Sequence, residues 1–181
     1  EDAERALAIA RSHGDRHLEL EALQLVLSLE GGDDAAWREL EDLAVQTKAW
    51  DTALGAIHAQ SLRLTPDRAA EAPPITRRGI ELAEARGLRE ALVWLHQADV
   101  EIGLVSGDWD AAVASADTAL AVGVANGYDR AVVRTWSAVL PIASARNDDE
   151  LLHKGYLWLT QRFAEPESPS PYARVMGAAR Q

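Results

Sequence analysis

The sequence predicts an all-α protein in which antiparallel helix pairs stack as an αα-superhelix of about nine helices. Alanine and leucine dominate and long runs of β-branched residues are absent, a composition that favours helix over sheet. Apolar residues recur at helical spacing in one segment after another. In addition, residues 84–92 resemble residues 124–132, 40 positions later (127 − 87 between their glycines), and such a period is typical of helical repeats.

Glycines followed by aspartates separate the first three predicted helices, which cover residues 3–13, 16–30 and 35–47. Gly14 ends a helix because glycine readily takes the left-handed conformation, and Asp15 can cap the next one. Gly31-Gly32 and Asp33 or Asp34 repeat this pattern. The helix over 16–30 is rich in leucine nearly all round, which predicts burial on more than one side.

Prolines mark the middle of the chain. A fourth helix over 50–64 is followed by a predicted break at residues 65–67, and a fifth begins near Pro74 or Ile75 and runs to Arg86. The remaining predicted helices cover 88–106, 108–126, 128–146 and 149–164, with a kink expected at Pro141.

The predicted domain organisation follows from this pattern. Residues 1–164 form one helical repeat domain, 165–171 a polar, proline-rich linker, and 172–181 the start of a further helix. Because the chain begins without an initiator methionine, we expect it to be a piece of a longer protein.

Composition also bounds the function. The formal net charge is −11, from 29 acidic and 18 basic residues, which disfavours direct contact with nucleic acid. The absence of cysteine excludes disulfides and thiolate zinc sites and fits a cytoplasmic location. No apolar run approaches membrane-spanning length, so no membrane contact is expected.

One helix start carries a more specific pattern. Gly107-Asp108-Trp109 precedes a helix whose apolar stripe contains Trp109, Ala112, Val113, Ala116, Leu120 and Val124. A stripe so rich in alanine lets a neighbouring helix approach closely, and it cannot be buried without neighbours.

This turn, followed by Ala112 and Ala119, resembles the turn and second helix of a tetratricopeptide unit. The whole chain is more loosely similar to the C-terminal arrays of large bacterial transcriptional regulators of the LuxR and MalT type and of related signalling ATPases or cyclases. The resemblance implies a sensing or protein-contact role. In regulators of the MalT type, it implies that the array binds small inducers.

No phosphate loop, dinucleotide fingerprint, nucleophile elbow or zinc-protease motif is present, so the sequence predicts neither an enzyme nor a cofactor. His13 and His17 are four residues apart, but Gly14 between them disfavours a shared helix face and hence a metal site.

The candidate groove contacts are His96, Asp99 and Asp117. His96 and Asp99 lie three apart on one helix, with Asp99 at the margin of its apolar stripe, and Asp117 has a matching place on the next helix. The alternative is that each aspartate accepts hydrogen bonds from a neighbouring helix end. Most of the six tryptophans are expected to pack in the core, with Trp94 and Trp158 in more mixed surroundings.

The sequence therefore favours a non-catalytic protein-interaction or regulatory module of a larger bacterial protein. Its partner is a protein, a peptide or another domain of the same chain. The alternatives are a small-molecule sensor and a helical accessory domain of an enzyme. A repeat array cut from its neighbours exposes an apolar end, so weak self-association, such as a weak homodimer, is also expected.

Overall fold

A computed structural model describes residues 2–64 and 68–164, and this part of the chain folds into nine α-helices and one short 3₁₀ turn, with no strand. The helices are α1 (Asp2–His13), α2 (Arg16–Glu30), α3 (Asp34–Gln46), α4 (Trp50–Arg63), α5 (Pro73–Arg86), α6 (Arg89–Ser106), α7 (Trp109–Asn126), α8 (Asp129–Arg146) and α9 (Asp149–Ala164). The all-α prediction is confirmed, and the predicted helix ends lie close to these bounds. The predicted break at 65–67, the linker at 165–171 and the further helix at 172–181 lie outside the described residues.

The helix joins form as their residue types predict. Gly87 and Gly127 take left-handed backbone angles, with φ of 67° and 71°, and end α5 and α7. Lys48 occupies the same region at φ 60° before α4, although it carries a side chain. Asp15 caps α2 by accepting hydrogen bonds from the backbone N–H groups of His17 and Leu18. Asp33 caps α3 in the same way.

The helices form a stack of hairpins. Extensive contacts join helices that are one or two places apart in the chain, so α6 packs against α4, α5, α7 and α8. Helices α4, α6 and α8 therefore lie side by side, while α5 and α7 pack beside them. This arrangement is compatible with a helical repeat.

Small residues set the close approach of α6, α7 and α8. Ala112 and Ala119 of α7 are fully buried. A Cβ atom added to Gly103 of α6 would lie 2.7 Å from the Cβ of Ala112, and one added to Gly123 would lie 2.6 Å from a methyl carbon of Val132. The expected stripe of α7 needs one correction: Val124 is 53% exposed, and the buried line ends at Gly123 instead.

Helix α2 packs against two neighbours but still exposes leucines. Its extensive contacts are with α1 and α3. Leu18, Leu25 and Leu29 are nevertheless 54%, 49% and 70% exposed, so part of its apolar surface faces solvent.

Pro141 lies on the exposed side of α8, and the helix continues through it to Arg146. The kink expected there stays a prediction. Among the described helices, none has the length and apolar composition that crossing a bilayer requires.

Candidate functional site

A groove of about 830 Å³ crosses the N-terminal parts of α4, α6 and α8. We call this feature the groove throughout. It is lined by Asp51, Leu54, Gly55 and His58 of α4, by Glu90, Ala91 and Trp94 of α6, and by residues 127–131 and Arg134 around the start of α8. The groove exists because these three helices lie side by side and begin at the same edge of the stack.

The lining residues come from equivalent positions of the three helices. Lys48, Gly87 and Gly127 are the left-handed residues that precede α4, α6 and α8. The third residue after each of them is Asp51, Glu90 or Arg130. The seventh residue after each is Gly55, Trp94 or Arg134, and all six of these residues line the groove.

Trp94 is the aromatic centre of the groove. The guanidinium carbons of Arg130 and Arg134 lie 5.8 and 5.9 Å from the centroid of its ring, within the range of cation–π attraction. The imidazole of His58 meets the indole edge-on, with ring centroids 6.2 Å apart. Trp94 itself is partly buried, so these neighbours hold its ring in place and leave part of it accessible.

A polar network connects the groove to the interior of the stack. Gln97 of α6 is fully buried and donates a hydrogen bond to the carboxylate of Glu101. Arg134 of α8 donates to the same carboxylate oxygen at 3.0 Å. Glu101 thereby holds a charged side chain of α8 in a fixed position at the groove.

His58 lies beside this network. Burial lowers the pKa of its imidazole, and the charge of Arg134 lowers it further, so the neutral form predominates at pH 7. Its Nε2 atom is buried, and the side chain of Gln97 acts on the ring as a hydrogen-bond partner.

The residues that the sequence singled out lie elsewhere. Asp99 is half-buried and accepts a hydrogen bond from the hydroxyl of Thr76, in the first turn of α5. Burial raises the pKa of Asp99 and lowers the pKa of neighbouring His96. These contacts match the structural alternative, in which Asp99 accepts a hydrogen bond near a helix end.

Asp117 is exposed on α7. None of His96, Asp99 and Asp117 lines the groove. The structure therefore brings His96 and Asp99 together, but it does not bring either of them to the groove.

His13 and His17 lie in different helices, α1 and α2, on the two sides of Gly14. Within the described residues no group of three or more histidine, aspartate or glutamate side chains is placed to hold a metal ion.

Sequence reasoning missed Gly55, His58, Arg130 and Arg134. The signal that could have located them is the position of each residue relative to the join before its helix. That signal is clear for Gly87 and Gly127. The corresponding residue before α4 is Lys48, and a lysine, unlike a glycine, does not indicate a left-handed residue between helices in the sequence.

The sequence matches no protein-family model, and a search of the curated proteins finds no match either. The resemblance to tetratricopeptide units therefore stays a prediction, whereas the stack of helix hairpins is shown by the structure.

Proposed function

We propose that this domain is a non-catalytic protein-interaction module of a larger regulatory protein, and that the groove holds an extended segment of a partner protein or of another part of its own chain. The observation that carries the proposal is a groove that crosses three helices and has an accessible tryptophan at its centre. Stacked helix pairs commonly use such extended surfaces to bind other chains.

The residue types in the groove support this proposal. Tryptophan, tyrosine and arginine are enriched among the residues that dominate binding energy at protein interfaces. The groove contains Trp94, Tyr128, Arg130 and Arg134 together with apolar Leu54. Charged residues at its rim surround this centre, as the polar rim of an interface does.

The sequence resemblance supplies a setting for the proposal. A bacterial, cytoplasmic transcriptional regulator or signal-transduction protein would use such a domain as its sensing or protein-contact part. The acidic net charge of −11 agrees with a role that does not include direct nucleic-acid contact.

A small-molecule sensor is the second candidate, and one observation favours it. The volume of about 830 Å³ falls within the range of small-molecule sites, roughly 300–1,000 Å³. The imidazole of His58, which lines the groove, would then bind a polar atom of the ligand.

A displayed library of random peptides distinguishes the two candidates. The affinities of peptides selected on the wild-type protein are then measured for the Trp94→Ala variant. Tyr156→Ala is the matched control, because Tyr156 is 60% exposed on α9 and lies outside the groove. We expect at least about tenfold weaker binding to Trp94→Ala, since an aromatic residue at the centre of an interface contributes about 1.4 kcal/mol or more. Circular dichroism verifies that both variants are folded.

A library of metabolites is tested in parallel by tryptophan fluorescence. A saturable response to a small molecule, with no peptide that depends on Trp94, would favour the sensor and overturn the proposed function.

A further inference from the structure

Gly55 lies in the middle of α4, where no packing contact requires a glycine. A Cβ atom added to Gly79, Gly103, Gly123 or Gly155 would come within 3.0 Å of a neighbouring atom, so those helical glycines permit close packing. A Cβ atom added to Gly55 meets nothing within 4 Å. Because glycine destabilises the interior of a helix relative to alanine, its place here needs another explanation.

The groove supplies that explanation. Gly55 and Trp94 occupy equivalent positions of the neighbouring helices α4 and α6, and both line the groove. The missing side chain leaves open space in the groove that the indole ring also lines, and the lining residues Leu54 and Ala91 are apolar. This space is suited to a large apolar side chain of a bound segment.

Charge is divided across the groove. The exposed acidic residues Asp51 and Glu90 belong to α4 and α6, whereas the basic residues Arg130 and Arg134 belong to α8. Arg134 is already paired with Glu101, and Asp129 with Arg162. Within the described residues, no ion pair involves Asp51, Glu90 or Arg130. These three exposed charges are therefore available to a ligand.

We propose that the groove binds an extended peptide segment of mixed charge: a basic side chain near Asp51 and Glu90, a large apolar side chain in the space between Gly55 and Trp94, and an acidic side chain at Arg130. This inference rests on the proposed function and names the chemistry of the partner. It differs from what the net charge of −11 alone suggests, which is a preference for wholly basic partners.

Geometry sets the spacing of the charges. Packed helices are about 8–10 Å apart, so α4 and α8 are separated by roughly 16–20 Å across α6. An extended chain advances about 3.3 Å per residue. The basic and acidic side chains of the segment are therefore about five to six residues apart, with the apolar side chain between them.

Synthetic peptides of about seven residues, blocked at both ends to remove their terminal charges, test the proposal by fluorescence anisotropy. Each has a central leucine or phenylalanine and two charged flanks: lysine and glutamate in either order, two lysines, or two glutamates. The wild-type protein is expected to bind a mixed-charge peptide most tightly.

Charge reversal in the groove is expected to change this preference. Arg130→Glu makes the rim acidic on both sides, so the mixed-charge peptide should bind about tenfold more weakly and the doubly basic peptide should become the best ligand. Glu90→Arg should shift the preference towards the doubly acidic peptide. Arg5→Glu is the control, because it makes the same charge change as Arg130→Glu at an exposed residue of α1 and should leave the order of preference unchanged.

The space beside Trp94 is tested separately. Gly55→Leu fills it and should weaken binding of the mixed-charge peptide at least about tenfold, whereas Gly55→Ala should weaken it less than about threefold. Circular dichroism establishes that each variant is folded.

The outcomes separate this inference from the proposed function. If the mixed-charge peptides do not bind, or if Arg130→Glu and Glu90→Arg leave the order of preference unchanged, the inference is overturned. The proposed function survives that result as long as the random library yields peptides whose binding depends on Trp94. If no peptide from either source depends on Trp94, both are overturned.

Discussion

His58 illustrates how burial of one side chain makes stability depend on pH. Burial and the charge of Arg134 lower the pKa of its imidazole in the folded protein. In the unfolded chain a histidine titrates near its ordinary pKa of about 6.5. The unfolded state therefore binds a proton more readily, and the free energy of unfolding decreases as the pH falls below about 6.5 towards the folded-state pKa.

Replacing His58 with glutamine should reduce this pH dependence. Urea unfolding at pH 7.5 and at pH 5.5 measures it, and we expect a smaller loss of stability on acidification in His58→Gln than in the wild type. Part of the loss should remain, because burial lowers the pKa of His96 in the same direction. The exposed His13 provides the control, His13→Gln. An unchanged pH dependence in His58→Gln would contradict the assignment.

Asp99 and Asp117 form a matched pair for a second prediction. Asp99→Ala removes the acceptor of the Thr76 hydroxyl and should lower the free energy of unfolding by about 1 kcal/mol. Asp117→Ala removes an exposed side chain and should change it by less than about 0.5 kcal/mol. Chemical denaturation measures both.

Because neither aspartate lines the groove, neither change should affect peptide binding there. Weaker peptide binding with unchanged stability in Asp99→Ala would restore the role in binding that the sequence suggested for it.

At the scale of the helix, two glycines should respond to the same substitution in opposite ways. Gly55→Ala should raise the free energy of unfolding by about 0.5–1 kcal/mol, because alanine is the better helix former and its Cβ atom meets open space. Gly123→Ala should lower it by about 1–3 kcal/mol, because its Cβ atom would lie 2.6 Å from Val132. Thermal unfolding of the two variants checks the prediction. Destabilisation by Gly55→Ala would mean that the glycine has a packing role after all.

The helix boundaries were predictable from the sequence for local reasons. Gly87 and Gly127 end helices through their backbone conformation, and Asp15 starts one by capping it, so few distant contacts are needed to place these joins. The burial of whole helices was less predictable. The exposure of Leu25 and Leu29 depends on which helices pack against α2, and the residue types of α2 do not determine its neighbours.

The groove was not predictable from the sequence because it forms between helices that are not consecutive. Gly55, Trp94 and Arg134 are far apart in the chain and have different chemistry. They meet because α6 packs against both α4 and α8. By contrast, His96 and Asp99 are three residues apart on one predicted helix, so their proximity could be inferred from the sequence and made them candidates.

At the scale of the whole molecule, α2 presents an apolar surface. Leu25 and Leu29 are about half and more than half exposed, at 49% and 70%, on the same helix as Leu18. Exposed apolar surface of this kind promotes association of copies.

The double variant Leu25→Gln/Leu29→Gln should therefore reduce the weak self-association expected of this domain. Light scattering over a range of protein concentrations measures the average mass. Val105→Gln is the control, because Val105 is similarly exposed, at 48%, but belongs to α6. A wild-type protein that remains a monomer at high concentration would contradict the expectation.

The register shared by α4, α6 and α8 has a consequence for how this protein can diversify. Each helix supplies one residue at the seventh place after its join, namely Gly55, Trp94 or Arg134. Substituting one of them changes a single contact in the groove and leaves the other two contacts in place. Duplication or recombination of hairpins can thus produce new binding specificities on an unchanged scaffold.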